Sequence, residues 1–141
     1  MNNLFDYITN ISNNNPLQTI KDSIEEECDK LKEYGIEQLC KVYAANISDN
    51  LNSKHIKCTT YNLDENCGID HEIIIAKFFS NNTEIKTIID PTFNQFFKKE
   101  IKDEFYKELI KNKYFIIEDN NLEKYYNLFI TMSSNKNKQK R

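Results

Sequence analysis

The sequence predicts an α+β domain: N-terminal helices packed on an antiparallel sheet of about four strands, with helices again at the C-terminus. Three observations carry this. Apolar residues recur at helical spacing as Leu17, Ile20, Ile24, Cys28 and Leu31, then as Leu39, Tyr43, Ile47 and Leu51. After Lys54 the pattern changes to short runs rich in β-branched and aromatic residues, HIKCTTYNL, HEIIIAKFF, TEIKTIID and KYFIIED. The second and third runs are separated by only the polar turn Ser80 to Asn82, which predicts an antiparallel hairpin.

In chain order, residues 1–15 suggest a weak helical turn and then the polar run Ser12 to Asn15, after which Pro16 suits a helix N-terminus. The first helix is expected from Leu17 to about Tyr34, with Gly35 placed to end it. The second is expected from about Leu39 to Leu51, with Cys40 in its first turn and the small Ala44 and Ala45 allowing close packing. DENCGID reads as a turn-like connector between the first two strands, and KKEIKDEFYKELIKN as an amphipathic helix before the last strand. NLEKYYNLFITM reads as a final helix with Asn120 or Asn121 as N-cap. SSNKNKQKR contains no apolar residue, which predicts a single domain over residues 1–132 and a disordered basic tail over 133–141.

At 141 residues the chain can bury a core without staples, so its four cysteines, Cys28, Cys40, Cys58 and Cys67, are expected as free thiols in a reducing cytoplasm. A net charge of −3 with both signs interspersed disfavours nucleic acid as a partner. No stretch approaches the roughly 20 apolar residues of a membrane span, and the N-terminus does not resemble a Sec-type signal. With two glycines in total the chain has no Walker or Rossmann loop, and no cofactor is expected.

Cys40, His71 and Asp90 follow one another in the order of a thiol nucleophile, its base and an orienting acid. The aligned peptide dipoles at a helix N-terminus favour the thiolate at Cys40, and the same N–H groups can receive an oxyanion. Gln38 and Gln95 are candidate side-chain donors to that oxyanion. A turn centred near residue 81 sets His71 opposite a position near 91, so His71 and Asp90 come within a residue of being cross-strand neighbours. Each residue alone has a plainer reading: a buried thiol, a polar strand end, an Asp-Pro turn. His55 is an alternative base, without an acid so well placed. Cys58, Cys67 and His71 form an alternative zinc set, although they lack the paired C-x-x-C spacing.

LCKVYAANISDNL, DHEIIIAKF and IIDPTFNQFF resemble the Cys, His and Asp blocks of the papain-like and transglutaminase-like thiol superfamily. The likeness is to compact papain-fold toxin and effector domains, including the glutamine deamidase domain of dermonecrotic-type toxins. It covers about Leu39 to Phe97, with IIDPTFNQF its most specific part. The resemblance implies a papain-like fold with Cys40 as nucleophile, His71 as general base and acid, and Asp90 orienting His71. It further implies a hydrolase or acyltransferase acting on amide groups of a protein or peptide substrate, in the cytoplasm or delivered into a host cell if the chain is an effector. Two other functions fit the same residues: a catalytically silent protein-binding module of this fold, and a zinc-stabilised interaction domain.

Overall fold

A computed structural model describes residues 15–34, 39–93 and 103–139, with side chains to residue 131. Helix α1 spans Pro16–Leu31, with Pro16 at N1 and the Asn15 side chain capping the Gln18 amide, and a 3-10 turn follows at Lys32–Tyr34. Helix α2 spans Cys40–Ser53. Strand β1 is Lys57–Asn62, short helix α3 is Asp64–Cys67, β2 is Glu72–Ser80 and β3 is Thr83–Ile89. Helix α4 is Glu104–Asn112, β4 is Tyr114–Ile116 and α5 is Asn121–Gln139.

The four strands form one antiparallel sheet in the order β1-β2-β3-β4, as the α+β expectation requires. The β2–β3 hairpin closes through Asn81 and Asn82 at φ 50° and 62°, left-handed values that asparagine tolerates better than most residues. The two strand faces feed separate cores. Ile74, Ala76, Phe78 and Ile89 pack with Ile20, Ile24, Ala44, Ile47 and Leu51 of α1 and α2, whereas Ile73 and Ile88 pack with Cys67, Leu109, Tyr125 and Phe129 of α3, α4 and α5. The sheet is therefore covered by helices on both sides. Helices α1 and α2 are also joined by polar groups: Asn50 donates to buried Glu27 at 2.7 Å and accepts from Ser23 at 3.0 Å.

Several boundaries differ from expectation. DENCGID is not only a turn: Asp64–Cys67 make one helical turn, ended by Gly68 at φ 69°, where lack of a Cβ removes the left-handed penalty. Strand β2 begins at Glu72, so His71 lies just before it. The helix expected from Lys98 starts at Glu104, because Asp103 is extended and accepts from the Phe105 amide as N-cap; residues 98–102 lie outside the described residues. The segment expected as a disordered tail continues α5 as helix to Gln139, with 140–141 outside the described residues. No proline or glycine interrupts it, and Lys and Gln are good helix formers. The expected features of residues 1–14 and the stop at Gly35 also lie outside. No helix among the described residues is long and apolar enough to cross a membrane.

A candidate Cys-His-Asp site at the end of the sheet

The hairpin register decides where His71 and Asp90 meet. Ile74 pairs with Ile89 and Ser80 with Thr83, so paired positions sum to 163. Extending that register puts Asp90 opposite Ile73 and His71 opposite position 92, one residue from the expected pairing. Alternation then sets His71, Ile73 and Asp90 on one face of the sheet. His71 Nε2 and Asp90 Oδ1 are 2.8 Å apart, with both side chains fully buried.

Both residues are held from several directions. The Asp90 amide donates to Lys113 O at 2.8 Å, where Lys113 itself adopts φ 66° at the end of α4. His71 O accepts from the Leu63 amide at 2.9 Å, and its ring stacks on Phe129 of α5 with centroids 5.4 Å apart. Tyr125, one helical turn earlier on α5, donates its hydroxyl to Asp90 Oδ2 at 2.6 Å. Neither α5 residue had been singled out from the sequence. Their i, i+4 spacing in the final helix was the available signal, since a tyrosine on a buried helix face needs a partner for its hydroxyl.

Cys40 approaches from the other helical layer. It opens α2 with Leu39 as N-cap residue and is half-buried. Its thiol is held below the ordinary value, first by hydrogen bonding to His71, against a smaller opposing effect of burial, and then by a backbone hydrogen bond from Glu72. For His71, burial pulls downward, but the Asp90 carboxylate and Cys40 together carry it up to about 9. Because Nε2 faces Asp90, the other ring nitrogen, Nδ1, is the one left for the sulfur. The opposite shifts favour a thiolate–imidazolium pair.

At the rim, Lys41 lies 3.6 Å from Asp70, and Asn62 donates to Asp70 at 2.7 Å and Glu72 at 3.1 Å. These contacts pin the connector that delivers His71. Gln38 and Gln95, the oxyanion candidates, lie outside the described residues. The first-turn N–H groups of α2, at the same helix end as Cys40, remain the backbone donors suited to that role.

The competing sets do not assemble. His55 is exposed in the turn after α2, at the far end of a 14-residue helix from Cys40, a separation of about 20 Å along the axis. Cys58 packs with the α1–α2 core and sits 3.5 Å from the Ser48 hydroxyl, while Cys67 belongs to the opposite core. Among the described residues no three His, Cys, Asp or Glu side chains are grouped to hold a metal ion. All four cysteines are free; burial raises the Cys28 and Cys58 thiols, and carries Cys67 up to about 11.

Comparison with protein-family models, curated proteins and solved structures gives no match to this chain.

Proposed function

We propose that this protein is a cysteine-dependent hydrolase or acyltransferase of papain-like type, acting on protein amide groups through Cys40, His71 and Asp90. The observation that carries the reading is the fully buried His71–Asp90 pair, 2.8 Å apart at the end of the sheet, whose imidazole holds the Cys40 thiol below its ordinary value. A nucleophile, a proton carrier and an orienting acid are the parts acyl transfer needs, and Cys40 alone of the four cysteines has its thiol lowered, burial raising those of Cys28, Cys58 and Cys67.

In this reading the Cys40 thiolate attacks a carboxamide carbon, and the first-turn amides of α2 receive the negative oxygen. As the C–N bond breaks, the proton on His71 passes to the departing nitrogen, which leaves as ammonia or an amine. A thioester remains on Cys40. Water then gives a proton to His71 and adds to the thioester carbon, and the C–S bond breaks to release a carboxylate and restore the thiolate. An amine in place of water gives a new amide. Asp90 holds the ring with Nε2–H toward itself, so that Nδ1 faces the reacting atoms.

Two measurements test this. Iodoacetamide labelling, located by mass spectrometry, should select Cys40 well below pH 8.5, and His71→Ala should abolish the selectivity. Ammonia release or a 1 Da gain at glutamine in a protein substrate pool should depend on Cys40. Uniform slow labelling of all four thiols would sink the reading and leave a binding module.

A further inference from the structure

We infer that Tyr125 is a positioning residue of this site, fixing the Asp90 carboxylate so that Oδ1 is reserved for His71; the inference rests on the reading of Cys40, His71 and Asp90 proposed above. Asp90 is gripped at both side-chain oxygens, by Tyr125 at 2.6 Å on Oδ2 and by His71 at 2.8 Å on Oδ1, and its backbone is tied to Lys113 O. The terminal torsion of an aspartate is broad and two-fold, so a single hydrogen bond leaves the carboxylate plane poorly defined, whereas two opposed donors define it. Tyr125 is fully buried, with the rings of Phe115 and Phe129 each 5.1 Å from its own. The same helix face brings Phe129 against the His71 ring, so α5 orients both the acid and the base.

The hydroxyl also bears on charge. A buried carboxylate that loses one of its donors is less stable as the anion. That loss makes the carboxylate more basic; the weakening comes from orientation, because without the hydroxyl the carboxylate plane can turn, Oδ1 leaves the line of the His71 ring nitrogen, and the His71 imidazolium, and through it the Cys40 thiolate, loses its fixed support. The other titratable groups close to this chain of contacts are Asp70 beside His71, and Cys67 of α3 and Tyr126 of α5 beside Tyr125.

Tyr125→Phe keeps the ring and removes only the hydroxyl. The experiment measures the iodoacetamide labelling rate of Cys40 in the full chain across pH 5–10, for wild type, Tyr125→Phe, His71→Ala and Tyr106→Phe. Tyr106 donates to Lys124 O of α5 and does not touch Asp90, so its variant reports general loosening of the helix. Tyr125→Phe should raise the Cys40 midpoint by about one pH unit, seen as roughly ten-fold slower labelling near pH 6.5 with the high-pH limit unchanged. Tyr106→Phe should leave the midpoint where it is. A wild-type midpoint that responds to His71→Ala but not to Tyr125→Phe overturns the inference and spares the proposed function. A wild-type Cys40 that titrates as an ordinary thiol, indifferent to His71→Ala, overturns both. If Tyr125→Phe does not fold, proton NMR of the wild type decides: the Tyr125 hydroxyl should give a downfield signal that moves when Cys40 is alkylated, and an unmoved or absent signal overturns the inference.

Discussion

His71 Nε2 lies 2.8 Å from Asp90 Oδ1, and neither side chain is exposed to solvent. Burial alone would drive the imidazole to its neutral form; the adjacent carboxylate reverses that preference and lifts it to about 9. The charge so maintained is what makes the half-buried Cys40 thiol ionise more easily than its ordinary value allows.

Removing that carboxylate charge should therefore reach the sulfur. Asp90→Asn nearly preserves shape but lets the amide face His71 with either its oxygen or its NH2. The His71 pKa should fall, and Cys40 labelling near pH 6.5 should slow by at least about ten-fold, with turnover falling further, by about two to four orders of magnitude, because the ring tautomer is no longer held. Nitrogen-15 NMR of His71 checks the tautomer directly.

Cys40→Ala and His71→Ala should each abolish turnover, and the double variant should lose no more than either, since members of one reacting unit are not additive. At about pH 6, where the thiolate contributes least, Cys40→Ala should shift the urea midpoint little because the residue is only half-buried. Steady-state kinetics and urea denaturation together separate chemical loss from unfolding.

Stability should depend on pH with a determined sign. His71 titrates higher in the fold than its ordinary 6.5, so its contribution is full below about 6.5 and is lost as pH rises through about 9. The lowered Cys40 thiol acts oppositely, contributing above its unfolded value of about 9 and losing that contribution as pH falls through its folded value. In Cys40→Ala the opposing effect is gone. Its urea midpoint should then fall with pH from about 6.5, ending short of 9 because the thiolate no longer helps hold the imidazolium, and Asp90→Asn in that background should flatten the curve.

Cys28→Ser, Cys58→Ser and Cys67→Ser should all retain the Cys40 labelling profile. Cys67→Ser should be the most destabilising, since this thiol is 4% exposed within the α3–α5 core and its nearest acceptor is Tyr126 O at 3.7 Å. Thermal melts and mass-spectrometric labelling give both readouts.

The hairpin turn offers a test remote from the chemistry. Asn82 sits at φ 62°, so Asn82→Ala should cost about 1 kcal/mol through the left-handed penalty. The Cys40 profile should be unchanged, because the His71 end of the hairpin is held separately by Leu63, Tyr125 and Phe129.

Much of this architecture was legible from spacing alone. Helical periodicity located α1 and α2, and Cys40 fell in the first turn of α2 as expected. A short turn between two β-rich runs fixed a register within one residue of the observed one, and the meeting of His71 with Asp90 followed from it. Less legible were the elements whose state depends on a single cap: Asp103 starts α4 inside an amphipathic run, and Gly68 ends a helical turn inside an apparent connector.

What the sequence determined was local: the identity and order of Cys40, His71 and Asp90, and a hairpin whose period-2 geometry brings the last two to one end and one face of the sheet. Tertiary structure decided how Cys40, from the helical layer on one side, reaches an imidazole whose acid is braced by Tyr125 from the layer on the other. Periodicity cannot encode that meeting. It depends on how two helical layers close on opposite faces of one sheet, and that closure is set by the fit of two separate cores formed by residues distant in the chain.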